Sequence, residues 1–252
     1  MLELKNISVG YRNTPVIHHV NFRFCEGTIY TLIGKNGSGK STLLKACAGL
    51  LKPQTGNILL DGMELCQYPN HERAQKMSYL AQSHSAPNIT VGRLLSHARF
   101  PHLDYPKKLR ATDWNVIHQA LEDTKTTAFM ETSLRNLSGG ERQRVYLALQ
   151  FAQKADILLL DEPTTYLDIE YQLMLMELLQ RLKSEGRTVI MVLHDLQQAL
   201  KYSDQILAVH MDGRIQTGTP MELRAHGWLK TIFNVDIVEN EYCLVNETVT
   251  SP

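Results

Sequence analysis

A glycine-rich loop near the N-terminus has the residue types of a phosphate-binding site. Residues 34–42 have the sequence GKNGSGKST, which satisfies the pattern G-x-x-x-x-G-K-[ST], whose glycines let backbone N–H groups turn toward phosphate oxygens. Lys40 would reach the β- and γ-phosphates of a nucleoside triphosphate, and the Ser41 hydroxyl suits Mg²⁺. A chance match occurs in about one chain in a hundred of this length. The loop therefore predicts triphosphate binding.

The residues on either side of the loop predict the elements that position it. Residues 28–33 form an apolar run typical of a buried β-strand that leads into the loop. Residues 41–48 have the apolar spacing of a helix that leaves it. Such a helix directs its N-terminal N–H groups and the positive end of its dipole at the anion. The context therefore supports the same prediction as the motif.

Two adjacent acids follow a second apolar run. Residues 157–160 are Ile-Leu-Leu-Leu, and Asp161 and Glu162 come next. A continuous apolar run fits a strand buried on both faces of a parallel sheet, which places the acids at the edge where ligands bind. Asp161 could hold Mg²⁺ there, and Glu162 could face an attacking water. Taken alone, two acids could instead open a solvated loop, but the phosphate loop upstream favours a nucleotide site.

A third motif lies well downstream of the phosphate loop. Residues 137–143 have the sequence LSGGERQ, and residues 141–149 continue as a predicted helix. A serine and bare glycine backbone at the start of a helix form an anion site, because the first N–H groups of the helix have no partner within it.

In this order the motifs resemble the nucleotide-binding subunit of an ABC transporter, and the signature Leu-Ser-Gly-Gly-Glu at 137–141 is specific to that family. Gln82, Asp168 and His194, together with Tyr11 early in the chain, complete the ordered set. The resemblance extends over nearly the whole chain. It implies an enzyme that hydrolyses ATP with Mg²⁺ and couples hydrolysis to transport across a membrane.

The resemblance also implies roles for residues whose own chemistry is unspecific. Tyr11 would stack on adenine, although a strand-end tyrosine packed on a neighbour is the alternative. Gln82 would contact Mg²⁺ and the attacking water, and His194 would bind the γ-phosphate and orient Glu162. Asp168 would lie at a dimer seam, although a helix-capping aspartate is the alternative.

The resemblance further implies an active site built from two chains. The helix start at 138–140 would serve the γ-phosphate bound by the opposite subunit, in a head-to-tail homodimer or a heterodimer with a related ATPase. The implied ATP-binding residues are Tyr11, Gly34, Asn36, Gly37, Ser38, Gly39, Lys40, Ser41, Thr42, Ser138, Gly139, Gly140 and Asp168. The implied Mg²⁺ ligands are Ser41, Gln82 and Asp161, and the implied catalytic residues are Glu162, His194 and Gln82.

The fold class expected is α/β, with one domain over residues 1–252. Strands and helices alternate in the last part of the chain, which predicts a parallel sheet. The family implies the P-loop NTPase fold of ABC ATPases, with a RecA-like mixed sheet core and an N-terminal antiparallel β part at about 1–83 and 151–252. It also implies an inserted α-helical subdomain at about 84–150.

Four finer predictions concern single elements. Residues 1–80 are expected to be mostly strands and turns apart from the helix after the phosphate loop, with a hairpin at the Asp-Gly dipeptide 61–62. Apolar spacing predicts a helix that starts at Thr112 or Asp113. Weak alternation at 235–245 predicts closing strands.

Composition limits the classes of partner. The 252 residues include 26 basic and 26 acidic ones without a basic block, so no nucleic-acid partner is expected. The 4 cysteines are scattered, as expected of reduced thiols. No run approaches the ~20 apolar residues that cross a bilayer. In a transporter, other polypeptides would form the pore, and the resemblance implies permease subunits that hold this chain peripherally at the cytoplasmic face of the membrane.

Three local sequences resemble the importer branch that serves iron-siderophores, haem and cobalamin. They are RFPH at 99–102, TTYLDI at 164–169 and HDLQQA at 194–199. Ala81 and Glu141 depart from that branch, which often has proline and glutamine at these places. The branch implies indirect cooperation with an extracytoplasmic substrate-binding protein. The alternatives are an ABC exporter, an importer of another solute, or a soluble ABC ATPase without a pore.

Overall fold

The computed structural model describes residues 1–12, 14–83, 86–233, 235–238 and 241–244. Its strands are β1 (Leu2–Tyr11), β2 (Thr14–Phe24), β3 (Ile29–Ile33), β4 (Thr55–Leu60), β5 (Met63–Glu64), β6 (Met77–Leu80), β7 (Ile157–Asp161), β8 (Thr188–Val192), β9 (Gln205–Val209), β10 (Ile215–Gly218), β11 (Val235–Val238) and β12 (Glu241–Leu244). Its helices are α1 (Lys40–Cys47), α2 (Asn70–Lys76), α3 (Val91–Ala98), α4 (Ala111–Asp123), α5 (Gly139–Gln153), α6 (Ile169–Ser184), α7 (Leu196–Tyr202), α8 (Pro220–Ala225) and α9 (Trp228–Phe233). None of these helices is both long and apolar enough to cross a membrane.

The main sheet has the strand order β10-β9-β3-β8-β7-β6, and all its neighbouring pairs except β10–β9 are parallel. Every residue of β3, β7 and β8 is buried, because both faces of a parallel sheet are covered. Val192 lies level with Leu32 on one side and with Asp161 on the other. The segments that follow β3, β7 and β8 therefore leave the sheet side by side at one edge.

A second, antiparallel sheet has the order β2-β1-β4-β5. Leu2 pairs with Phe24 on one side and with Leu60 on the other. Its buried side chains form one hydrophobic core with α1 and with one face of the main sheet, including Leu43 and Leu159. This packing determines the direction in which α1 leaves the phosphate loop, and it confirms the predicted antiparallel part.

A second core covers the opposite face of the main sheet. Helices α3, α4 and α5 contribute Leu95, Ile117 and Val145, which pack in the same cluster as Leu158 and Leu160 of β7. The two cores together give the α/β fold with a mixed sheet that the sequence predicts. The division into a sheet core and a helical subdomain at residues 84 and 150 stays a prediction.

The hairpin at 61–62 is confirmed, and so are the closing strands. Asp61 and Gly62 have φ of 49° and 84°, positive as the tight turn between β4 and β5 requires. Strands β11 and β12 pair antiparallel, and the predicted positions 239, 240 and 245 lie outside the described residues.

Two predictions of helix positions were wrong. Helix α2 lies within the region expected to be strands and turns; none of its residues is buried, so it has no apolar stripe that could have indicated it. Helix α4 begins at Ala111 rather than at Thr112 or Asp113. The reason is that Asp113 stands inside the first turn, where its Oδ2 accepts a hydrogen bond from the N–H of Arg110 at 3.0 Å.

We expect the Arg99–Asp113 ion pair to stabilise the α3–α4 region strongly. Arg99 Nε lies 3.0 Å from Asp113 Oδ1, and the side chains are 11% and 8% exposed. Asp113→Ala leaves a buried guanidinium without its carboxylate, so the free energy of unfolding should fall by about 3 kcal/mol in urea denaturation at neutral pH. Asp104→Ala, which removes an exposed pair with Arg110, should cost less than about 1 kcal/mol. Equal losses would contradict the assignment.

This contribution should also depend on pH. Burial opposes ionisation of Asp113, but hydrogen bonds from the Arg110 backbone and from Arg99 outweigh it and hold the pKa of that carboxyl below its usual value. Because the pKa is lower in the folded state than in the unfolded state, the stabilisation is complete above the unfolded value, about 4, and is lost as pH falls through the folded value.

Candidate functional site

The phosphate loop adopts a backbone that requires glycine at two positions. The loop connects β3 to α1, and Gly34 and Gly39 have φ of 152° and 102°. A Cβ on Gly34 would lie 2.3 Å from the carbonyl oxygen of Val209 on β9, which no side chain tolerates. Gly39 is the N-cap of α1 and provides no side-chain cap. Among the described residues, no N-cap side chain bonds to the first N–H groups of α1, which leaves them for an anion.

Lys40 is held inside this loop. Its Nζ donates to the backbone oxygens of Gly34 at 2.8 Å and of Lys35 at 3.0 Å. Burial lowers the pKa of the Lys40 amine, whereas the nearby carboxylates Glu162 and Asp161 raise it. The ammonium group is thus placed where phosphate oxygens could replace the two carbonyl groups.

The other predicted loop residues differ in exposure. Asn36 and Gly37 are exposed, and Thr42 is buried in the first turn of α1. Ser38 is buried, and its Oγ has no hydrogen-bond partner among the described residues. An unpartnered buried hydroxyl costs about 1–3 kcal/mol, and a phosphate oxygen in the loop would supply the partner.

Two of the three predicted metal ligands are brought together. Ser41 Oγ donates to Asp161 Oδ1 at 2.8 Å, and the Tyr79 hydroxyl lies 3.4 Å from Asp161 Oδ2. Burial raises the pKa of Asp161, and the hydrogen bond from Ser41 opposes this. A hydroxyl and a carboxylate at this distance are the hard oxygen donors that Mg²⁺ prefers. Gln82 lies exposed beyond the end of β6, and within the described chain it forms no hydrogen bond with either residue.

Glu162 and His194 meet across adjacent strands. Glu162 follows the last residue of β7, and His194 lies two residues after the end of β8. His194 Nε2 is 2.7 Å from Glu162 Oε1, and the side chains are 48% and 12% exposed. Glu162 has a φ of 53°, a conformation that is uncommon for residues other than glycine and that recurs at functional sites. Two of the three residues that the resemblance implies to be catalytic are therefore in contact.

The signature motif forms a helix cap. Ser138 is the N-cap of α5; its Oγ accepts from the N–H of Glu141 at 3.3 Å, and its own N–H donates to Glu141 Oε2 at 2.8 Å. Hydrogen bonds from Ser138 lower the pKa of the Glu141 carboxyl. Glu141, the departure from the importer branch, thus completes a capping box. In the described part of the chain, Ser138 makes no hydrogen bond with the phosphate loop.

The start of α5 is also attached to the segment after Glu162. Gln143 is 3% exposed, and its Nε2 donates to the Pro163 oxygen at 3.1 Å. A Cβ on Gly140 would lie 2.8 Å from the backbone oxygen of Tyr166, so the start of α5 and this segment are in close contact. Sequence reasoning missed Gln143; an amide on the buried face of a predicted helix is the signal that could have indicated it.

The sequence allows two interpretations each for Asp168 and Tyr11. Asp168 is the N-cap of α6, and its Oδ1 accepts from the N–H of Tyr171 at 3.0 Å. It therefore caps a helix, as the alternative predicts, and its place at a dimer seam stays a prediction. Tyr11 is the last residue of β1 and is 49% exposed; its stacking on adenine likewise stays a prediction.

Known proteins are similar to this chain in sequence and in structure. A family model described as ABC transporter matches residues 17–165. The iron(3+)-hydroxamate import ATP-binding protein FhuC of Bacillus subtilis is 38% identical over 237 residues, 93% of this chain and 88% of that protein. The ferric enterobactin transport ATP-binding protein FepC of Escherichia coli is 36% identical over 233 residues, 92% of this chain and 86% of that protein. The dimeric post-hydrolysis state of the ATP-binding cassette MJ0796, bound to ADP and Pi, has a TM-score of 0.76 at 26% identity, over 87% of this chain and 99% of that chain.

A largely parallel α/β sheet with a phosphate loop after β3 and two acids at the carboxyl end of β7, separated from β3 by β8 alone, is the arrangement of a P-loop ATPase. The family model covers more than half of the chain and the relatives cover most of it, so the chain belongs to the ABC transporter family. Within that family it is an ATPase that serves transport. The predicted resemblance to the iron-importer branch is confirmed by the two named relatives.

We expect the two glycines of the signature to respond differently to alanine. Ala is intrinsically better than Gly in a helix by about 0.5–1 kcal/mol, and at Gly139 the nearest atom to a new Cβ is 3.8 Å away. Gly139→Ala should therefore leave stability equal or higher. At Gly140 the new Cβ meets the Tyr166 backbone oxygen at 2.8 Å, so Gly140→Ala should lower the free energy of unfolding by about 1–3 kcal/mol. Denaturant unfolding measures both, and equal stabilities would contradict the close contact.

Proposed function

We propose that the edge of the main sheet beside the phosphate loop is the ATP-hydrolysis site, with Glu162 as general base and His194 as its positioning partner. The observation that carries this proposal is the 2.7 Å contact between Glu162 Oε1 and His194 Nε2. A carboxylate at the end of a buried strand can accept the proton of an attacking water. An imidazole in contact with it can orient the carboxylate through Nε2, and in the imidazolium form its Nδ1–H can donate a hydrogen bond to the γ-phosphate.

ATP binding would replace contacts within the loop by contacts with phosphates. Lys40 would exchange its bonds with the oxygens of Gly34 and Lys35 for bonds with the β- and γ-phosphates. The N–H groups at the start of α1 and the Ser38 hydroxyl would bind further phosphate oxygens. Tyr11 would stack on the adenine ring.

The residues around Asp161 fit Mg²⁺. The Ser41 hydroxyl and the Asp161 carboxylate would hold the ion, with Gln82 as the third predicted ligand. When bound, Mg²⁺ neutralises charge on the β- and γ-phosphates during phosphoryl transfer.

The hydrolysis step then uses this chain's own groups. Glu162 accepts a proton from water while the water oxygen bonds to the γ-phosphorus. The bond between that phosphorus and the bridging oxygen breaks, and ADP leaves with the negative charge on its β-phosphate. Lys40 and the N–H groups of the loop stabilise that charge. Gln82 would help to align the water.

We further propose that two chains form one ATPase unit, as a homodimer or with a related subunit. Ser138, Gly139 and Gly140 would face the nucleotide held by the opposite chain, and Asp168 would lie at the seam. The support is that the start of α5 is exposed and that the structural neighbour MJ0796 is dimeric. Tyr166 and Ile169 are 72% and 75% exposed beside Asp168, which gives the seam an apolar part.

The proposed cargo is an iron-siderophore, because the named relatives carry iron(3+)-hydroxamate and ferric enterobactin import or transport in their names. On this proposal the chain binds peripherally to permease subunits at the cytoplasmic face of a membrane. An extracytoplasmic substrate-binding protein would deliver the cargo to those subunits and would not touch this chain.

Replacing Glu162 by Gln should separate ATP binding from hydrolysis. Glu162→Gln keeps the shape but removes the proton acceptor, so we expect turnover at least ~100-fold slower with ATP still bound and the ATP-bound dimer accumulating. Phosphate release and size-exclusion chromatography with ATP and Mg²⁺ measure these effects. A variant that remains monomeric and retains wild-type turnover would refute the role of Glu162.

Two further variants make this result specific. Glu177→Gln changes an exposed acid on α6 and should leave turnover within about twofold of wild type. Lys40→Ala removes the cation of the phosphate loop, so binding of a fluorescent ATP analogue should be lost. Unchanged binding by Lys40→Ala would contradict the placement of the phosphates.

The transport proposal is tested by the partners of the tagged chain in gently solubilised native membranes. We expect a polytopic permease to co-purify, together with an extracytoplasmic binding protein that binds a ferric siderophore in a fluorescence titration. A binding protein specific for another solute would refute the cargo. A permease without a binding protein would indicate export, and soluble partners alone would refute the transport role.

A further inference from the structure

A short row of side-chain amides joins the segment before Asp168 to the helix after His194. Gln172 on α6 donates through Nε2 to the backbone oxygen of Leu167 at 2.9 Å. Gln198 on α7 donates through Nε2 to Oε1 of Gln172 at 2.7 Å. We name this row, Leu167 oxygen to Gln172 to Gln198, the amide ladder.

One end of the amide ladder is connected to Glu162 through consecutive turns. Leu167 is 8% exposed, and its N–H donates to the oxygen of Thr164 at 3.2 Å. Thr165 donates its N–H to the backbone oxygen of Glu162 at 3.2 Å, and its Oγ1 lies 3.5 Å from Glu162 Oε2. The position of Leu167 therefore affects the backbone and the side chain of Glu162.

The other end of the amide ladder is connected to His194. Asp195 caps α7, and its Oδ1 accepts from the N–H groups of Gln197 at 2.8 Å and of Gln198 at 3.2 Å. His194 directly precedes this cap and lies 2.7 Å from Glu162. The contacts thus form a closed ring from Glu162 through the amide ladder and α7 back to Glu162.

His194 is held through the residues on both sides of it in the chain. Strand β8 ends at Val192, and the N–H of the next residue, Leu193, donates to the Leu32 oxygen at 3.3 Å. Leu193 is 2% exposed, whereas the His194 side chain is 48% exposed, and α7 holds the residues that follow it. The Oε1 of Gln198 is buried without a hydrogen-bond partner in the described residues, which leaves the bond to Gln172 to determine how this amide is held.

We propose that Gln172 and Gln198 are positioning residues for ATP hydrolysis, which hold His194 and Glu162 at their reactive distance and couple this distance to the segment that carries Asp168. The inference rests on the proposed roles of Glu162 and His194. Since Asp168 is predicted at the seam between two chains, the amide ladder would transmit dimer closure to the catalytic pair.

The test compares leucine variants of the amide ladder with a matched variant of the same two helices. Gln180 on α6 donates through Nε2 to the backbone oxygen of Tyr202, the last residue of α7, at 2.7 Å. Gln180→Leu therefore removes an amide bond between α6 and α7 on the side away from the site. We measure kcat and KM for ATP with the whole chain, at a protein concentration above which wild-type turnover per chain no longer rises. We also measure the thermal midpoint of each variant.

We expect Gln172→Leu and Gln198→Leu to lower kcat at least about tenfold, because small displacements of catalytic groups have large effects on rate. KM for ATP should stay within about twofold, because the phosphate loop is unchanged. Gln180→Leu should have a thermal midpoint similar to those of the two amide-ladder variants, but a kcat within about twofold of wild type. An equal loss of kcat in all three variants would show that only the packing of α6 on α7 matters and would overturn the proposal.

The double variant provides an independent test. Gln198 reaches Leu167 through Gln172, so the double variant Gln172→Leu/Gln198→Leu should be no slower than Gln172→Leu alone. Multiplicative losses of kcat would overturn the proposal. If Glu162→Gln and His194→Ala themselves retain wild-type turnover, the proposed site is wrong. If those two lose turnover while the amide-ladder variants retain it, only the present inference fails.

Discussion

The parallel pairing of β3, β7 and β8 is the constraint on which the site depends. All residues of these strands are buried. In a dry interior their backbone N–H and C=O groups must be paired, and the hydrogen bonds between the strands that pair them also fix the register. Side chains at the carboxyl ends are consequently delivered to one edge within hydrogen-bond reach. Ser41 meets Asp161 at 2.8 Å, and Glu162 meets His194 at 2.7 Å, although long stretches of sequence separate the partners.

Buried charged side chains and a hydrogen bond to α5 are two further features of this edge of the sheet. Lys40 and Asp161 are both buried. Burial lowers the pKa of the Lys40 amine and raises the pKa of the Asp161 carboxyl, so it favours the neutral form of each. A triphosphate with its metal ion would favour the charged forms of both. The bond from Gln143 to Pro163 fastens the start of α5 to the segment after Glu162. A shift of α5 would therefore also displace the segment that follows the proposed base.

Most of the predicted site followed from local patterns that carry their own physical reason. The glycines at 34 and 39 were recognisable because the loop needs positive φ there, and the acids at 161 and 162 because they end an apolar run. Helix α2 was not predictable in this way, since no apolar stripe marks an exposed helix. The start of α4 was misplaced because an aspartate in the first turn and an aspartate at the cap have the same local sequence signal.

By itself the sequence determined the class of protein, the phosphate loop and the order of the catalytic candidates, because these depend on short motifs whose spacing reflects a local backbone. Only the tertiary structure decided which distant side chains meet. The contact of Glu162 with His194, the bond from Gln143 to Pro163 and the amide ladder all join different elements. Such contacts depend on strand order, register and helix packing, and these are set by burial over the whole chain rather than by any local pattern.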